Sequence, residues 1–192
     1  MSSDSVYELA LTSHPDSRGG PVRRVRARVC RTPQAILAVN YRVEGDLGRV
    51  RVPVPRPPRL AGGLWRHTCC EVFIARGGLP GYHEFNFAPS GEWAAYAFER
   101  YRERARLHES GARLSIPRVA MRSSAEELEL EASIPLGQLS PAHACARLSL
   151  ALAAVFEDEA GTLSYWALRH SPGRPDFHHP DAFALELDEL RD

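Results

Sequence analysis

Lysine is missing altogether from this chain of 192 residues, whose 24 basic side chains are all arginine. A Schiff-base enzyme and a Walker-type phosphate loop each need that amine, so both are excluded. Long apolar runs are also lacking. The longest candidate, Leu148 to Phe156, is interrupted by Ser149 and falls well short of the roughly 18 residues that a membrane helix requires. Met1 to Ser5 is polar and shows no basic-then-apolar pattern, so no secretory signal is visible and a cytoplasmic location is expected, with no membrane partner. There is no net charge, because 24 acidic residues balance the arginines. That argues against a protein held to nucleic acid by its overall field and leaves only a local patch open, so no nucleic-acid partner is expected. Cysteine is sparse. Cys30, Cys69, Cys70 and Cys145 make neither a C-x-x-C zinc pattern nor a disulfide framework. Neighbouring Cys69 and Cys70 leave opposite faces of a strand and read as buried thiols. No G-x-S-x-G, G-x-G-x-x-G, H-E-x-x-H or EF-hand pattern occurs, since His83-Glu84 and His108-Glu109 both lack the second histidine. A hydrolytic triad, whose members need not be neighbours, finds no local support.

What is abundant is punctuation. Fifteen Pro and fourteen Gly cut the chain into short segments with a period of two. Val25, Ala27 and Val29 alternate with Arg24, Arg26 and Arg28; Leu128, Leu130 and Ala132 alternate with Glu127, Glu129 and Glu131; Leu37, Val39, Tyr41 and Val43 make a third run. Such alternation marks half-buried antiparallel strands whose Arg and Glu stripes are solvated faces. Further strands are expected at Tyr7–Leu11, Val50–Val54, Glu71–Ala75, His83–Ala88, Trp93–Glu99, Arg118–Arg122, Leu150–Glu157, Ser164–Leu168 and Ala184–Leu187, with turn signals between them. Helix is scarce: Glu99–His108 has good helix formers but a thin apolar stripe, and a single turn fits near Pro135–Leu139. About a dozen short strands without a βαβ rhythm predict an all-β fold, an antiparallel β-sandwich or jelly roll, in one domain over residues 1–192. The stretch Pro53–Pro58 reads as a loop or strand edge within it.

Two segments hold the rare chemistry. In the first, Leu64 to Phe98, a strand at Cys69–Ala75 puts Cys69, Glu71 and Phe73 on one face, with Val72 and Ile74 on the other. Both faces are largely apolar, so a bare Glu71 carboxylate is costly there; it needs an arginine, a hydrogen-bonded network, a metal or a ligand hydroxyl. On the next strand His83, Phe85 and Phe87 share a face, leaving Glu84 and Asn86 on the other. Register decides which of the two sets meets Glu71. In the second segment, Ala153 to Phe183, Glu157-Asp158-Glu159 reads as an acidic hairpin turn. The following strand puts Trp166, Leu168 and His170 on one face, with Tyr165, Ala167 and Arg169 on the other. The loop Ser171–Pro180 is polar and proline-pinned and carries Asp176, His178 and His179, which could ligate a metal or simply be hydrogen-bonded at the surface.

The blocks LWRHTCCEVFI, YHEFNFAPSGEWAAYAF and SYWALRHSPGRPDFH resemble bacterial DOMON-like proteins, which are related to the family 9 carbohydrate-binding modules. The similarity runs from about Leu64 to Leu187. It implies an immunoglobulin-like β-sandwich with a ligand site on one sheet or its rim. In the sugar-binding relatives a Trp shortly precedes a strand bearing a Glu, and a second Trp comes from a later strand. Trp65 and Glu71 match the first pair; Trp166 is the candidate for the second, with Trp93 competing. A pyranose stacks its C–H face on indole and takes directional bonds from Glu, Asn and Arg, which suits Glu71, Asn86 and Arg169, with His83 and His170 nearby in the same blocks. Non-catalytic binding of a sugar or similar small metabolite is the leading expectation. One alternative is a metal-dependent enzyme using Glu71, His83, His170, Asp176 and His178. Another, implied by haem-binding DOMON-type domains, is axial ligation by Met121 with His83 or His170.

Overall fold

The computed structural model describes residues 6–17, 19–105 and 118–190. In chain order the strands are β1 (Val6–Ser13), β2 (Val22–Arg31), β3 (Ile36–Gly45), β4 (Arg59–Leu60), β5 (Cys69–Arg76), β6 (Tyr82–Phe87), β7 (Glu92–Arg100), β8 (Glu103–Arg104), β9 (Arg118–Ser123), β10 (Glu127–Pro135), β11 (Leu148–Glu157), β12 (Leu163–Ala167) and β13 (Leu185–Leu187). Helix among the described residues is limited to α1 (Pro141–Cys145) and four single 3-10 turns. None is long and apolar enough to cross a membrane.

The strands form one strongly curled sheet in the order β4-β7-β6-β5-β11-β12-β1-β2-β3-β10-β9, with β13 on β11 and β8 on β7. A clear two-sheet sandwich was the expectation; the structure instead joins the halves through β1. That strand pairs with β2 over Val6–Leu11 and then with β12 at Thr12 and Ser13. The sheet is mixed, because the short β4 runs parallel to β7. The segment Val50–Val54 is not a strand: only Val50 makes a bridge, to Asp158. Pro53 and Pro55 have no N–H to give a ladder. Glu99–His108 does not start as a helix either. Glu99 and Arg100 end β7, Tyr101-Arg102 turn, β8 returns, and residues 106–108 lie outside the described set.

Curling brings the inner faces of the halves together over one core. Val25, Val29, Leu37, Tyr41 and Leu130 from the first half meet Val72, Ile74, Phe85, Leu150 and Leu152 from the second. Tyr41, fully buried, donates its hydroxyl across this core to the Glu71 carbonyl at 2.7 Å, so its one polar atom is satisfied. The outer face of the first half is solvated as its alternation predicts, with cross-strand pairs Arg24–Glu44, Arg28–Glu8 and Arg42–Glu127. The outer face of the second half is different. Phe73, Tyr82, Phe98, Ala151, Ala153 and Ala167 form a second apolar cluster, roofed by Phe177 and Ala182 from the loop that follows β12.

Candidate functional site

Strand parity builds the site. In the β5–β6 register Glu71 faces Asn86 and Phe73 faces Glu84, so Glu71, Glu84 and Asn86 share the outer face of the second half. On the neighbouring β11, Glu71 lies beside Ala153, which in turn pairs with Ala167 of β12. Alanine at both places leaves depth beside the carboxyl. The result is a hollow of about 290 Å³, within reach of small-ligand sites in size. Glu71 and Glu84 are at its base, 3% and 4% exposed. Trp65, Phe98, Tyr165 and Phe177 supply apolar walls, and the exposed Arg102 and Arg104 stand at the rim with His178.

Each wall has a local cause. Trp65 sits in a 3-10 turn, Leu64–Arg66, entered through Gly63 at φ 78°, a conformation that favours glycine. The indole stays partly exposed and meets Tyr96 edge-on at 5.7 Å. The Arg104 guanidinium lies 4.3 Å from the centre of Tyr96 and 5.9 Å from that of Trp65, a cation–π clamp on the aromatic wall. Arg102 is held by Asp176 at 2.8 Å, and Asp176 also accepts from the Tyr101 hydroxyl at 2.5 Å. Burial works against the Asp176 anion, but those two donors keep its carboxyl below the usual range.

The base of the hollow is electrostatically unusual. Burial pushes the Glu71 carboxyl well above its ordinary range, and the nearby Glu84 carboxylate pushes it further. Glu71 Oε1 is buried without a hydrogen-bond partner among the described residues, and so is Asn86 Oδ1. Burial also raises Glu84, against a 2.7 Å bond donated by Asn86 Nδ2. His178 joins Tyr82 at 2.8 Å through Nδ1 and approaches Glu84 at 3.7 Å through Nε2. Burial, followed by the Arg102 charge, lowers its pKa to about 4, so the ring is neutral near pH 7.

Of the residues expected from sequence, Trp65 and Glu71 share this hollow, and Asn86 lies behind it against Glu84. Trp166 does not join them. It is 8% exposed and belongs to the inner core, as does Trp93; the face of β12 that meets the hollow carries Tyr165. Arg169 is exposed beyond the end of β12 and lines no part of the hollow. His170 bonds the Thr12 carbonyl at 2.9 Å and meets the His14 ring edge-on. His83 points to the inner face with Phe85 and stands edge-on to His143 at 5.0 Å. Nor do Asp176, His178 and His179 converge. Asp176 is bound to Arg102, and His179 Nδ1 accepts from the Asp181 amide. Among the described residues no group of three or more His, Cys, Asp or Glu could hold a metal. The sequence reading missed Arg102, Arg104, Tyr165 and Phe177. Tyr165 was open to view in the period of two; the arginines were hidden in an apparent helix.

The sequence matches no family model and no curated protein. The fold does have a counterpart. A crystal structure from Bacteroides uniformis, described as "a putative carbohydrate-binding protein", superposes with a TM-score of 0.63 over 93% of this chain and 84% of that one. At 19% identity the likeness is one of fold.

A pH dependence arises from the buried histidines. Burial lowers His143 to about 4, with the His83 charge next in effect. A folded-state pKa below the ordinary 6.5 means that the folded protein binds fewer protons than the unfolded chain. The stability contribution is therefore complete above 6.5 and lost as pH falls toward about 4. Thermal melts at pH 7 and pH 4.5 should show a larger acid loss for wild type than for His143→Gln. Equal losses would count against the assignment.

Proposed function

We propose that the protein binds a sugar or similar polyhydroxylated metabolite, without chemical turnover, in the hollow between Trp65 and Tyr165. The observation that carries this reading is the pairing of the partly exposed indole of Trp65 with Glu71, whose buried Oε1 has no partner among the described residues, in one cavity. An apolar wall opposite a few buried, unsatisfied polar atoms is complementary to a pyranose. One face of that ring is C–H, and its edge is hydroxyl. Glu71, Glu84 and His178 offer hydrogen-bond partners for ring hydroxyls, and Arg104 extends the stacking wall. The likeness in fold to a structure described as carbohydrate-binding supports the reading. So do the motif blocks that resemble DOMON-like proteins and family 9 carbohydrate-binding modules. Within the hollow the wall on β12 is Tyr165, where Trp166 was the expectation.

Tryptophan fluorescence titrated with a panel of mono- and oligosaccharides tests it. Trp65 is the one partly exposed indole, Trp93 and Trp166 being buried, so a bound ring should alter emission through Trp65. Trp65→Ala, read by calorimetry, should weaken binding by about 2 kcal/mol, about thirtyfold, as for a central aromatic anchor. A panel with no response at millimolar concentration would remove the proposal.

A further inference from the structure

We infer that the hollow selects an acidic sugar, a hexuronic acid, with its hydroxyls on the Glu71–Glu84 base and its carboxylate on Arg102 and Arg104. The inference rests on the sugar-binding reading and adds the ligand's charge to it. Its basis is a polarity along the depth of the site. The base is made of carboxyl groups that are nearly inaccessible to solvent, and Glu71 Oε1 has no partner among the described residues. Hydroxyl groups are suited to such a base, since each can donate or accept. The rim is made of two exposed guanidinium groups. A neutral sugar meets the base but leaves Arg104 without an anion, whereas a ring-borne carboxylate fits an arginine fork and can share Arg102 with Asp176.

The rim is built rather than incidental. Arg102 has φ 56°, in the left-handed region that glycine or asparagine ordinarily occupies. Its strained turn is fixed by a bond from its own amide to the Tyr82 hydroxyl at 3.1 Å, and by its ion pair with Asp176. Its contacts with Asp176 and the adjacent Tyr101 leave guanidinium donors over. Two residues later, in β8, Arg104 sits over Tyr96 and beside Trp65. Among the described residues no carboxylate lies within ion-pair distance of Arg104. The stacking therefore presents a preorganised cation, and part of the ordering cost of binding is already met before ligand arrives.

The test is calorimetric titration of the full chain with D-glucuronate and D-galacturonate against D-glucose and D-galactose, together with the methyl esters of both acids. At least one uronate should bind about tenfold or more tightly than its neutral counterpart, the size expected for charge-assisted bonds. The ester should lose that advantage, and added salt should weaken the acid more than the neutral sugar. Arg104→Gln and Arg102→Gln should each bring the acid-to-neutral ratio toward one. Equal affinity for acid, ester and neutral sugar in wild type would overturn this inference alone. Silence from every sugar would overturn the binding reading with it. The ester comparison needs no variant, so a misfolded substitution cannot leave the matter open.

Discussion

Glu71→Met should make the protein more stable and at the same time weaken the proposed sugar binding. At pH 7 the wild-type carboxyl is kept in an apolar layer between Phe73 and Ala153 with one oxygen unsatisfied, which costs about 1–3 kcal/mol. Methionine fills similar space without the polar atoms. For a domain of this size each kcal/mol moves the melting temperature by about 2–4 °C, so calorimetry should record a rise of several degrees. The gain should shrink on acidification. The folded-state pKa of Glu71 is raised, so the wild-type protein is relatively most stable where the group is protonated in both states. It loses that stability as pH climbs from 4.5 toward the folded value. Melts of both proteins at pH 7 and pH 4.5 should therefore differ most at pH 7. A variant that melts below wild type at pH 7 would refute the account. Affinity should fall by about tenfold or more, because a buried partner for a ligand hydroxyl has gone. Stability and binding would then move in opposite directions on one substitution, as expected where a binding group is held against its own solvation.

The second large effect is on Phe73→Ala. This ring is fully buried on the same strand face as Glu71, and it contacts His178 at 5.1 Å and Phe183 at 6.4 Å, both from the segment that follows β12. Deleting it removes a large apolar side chain and leaves a cavity under that segment, a loss of about 3–5 kcal/mol. The consequence should spread unevenly. The core between the halves is packed on the other side of β5, whereas the roof of the second cluster rests on Phe73 itself. Urea denaturation should give the overall loss. Hydrogen exchange should show the largest change in the segment containing Phe177 and His178, with slight change in β2 and β3. Uniform acceleration across the chain would show that the roof has no independence.

Period two in the sequence was enough to find most of the strands, though not the two-residue β4 and β8, and to put Glu71 opposite Val72 and Ile74. Such alternation is a local property, enforced by the pleat. It left Glu71 with two sets of neighbours, and only the hairpin register, Glu71 to Asn86, chose Glu84 over His83. Trp166 was misread for a different reason. A strand has two apolar faces when a sheet is covered on both sides, and nothing within Tyr165–Ala167 tells the core from the hollow. The arginines of the rim were hidden by composition. ERYRERARLH is rich in helix formers, yet the β7–β8 return overrides propensity through cross-strand bonds and an Arg102 backbone that no turn residue announces. The segment Val50–Val54 shows the converse: alternating valines read as a strand, but pairing stops after the Val50 bridge, where Pro53 withholds a donor.

The junction of Thr12 with Ala167 has a bearing on how the chain is made. The two residues are separated by 155 positions, and their pairing is what unites the halves of the sheet. On a ribosome the first hairpin, β1 with β2, can form as soon as it emerges, but the far end of β1 must wait for β12, 155 positions later, before its neighbour exists. Closure of so long a loop is entropically slow, so a late step of maturation should be the zipping of Thr12 and Ser13 onto β12 rather than collapse around the centre.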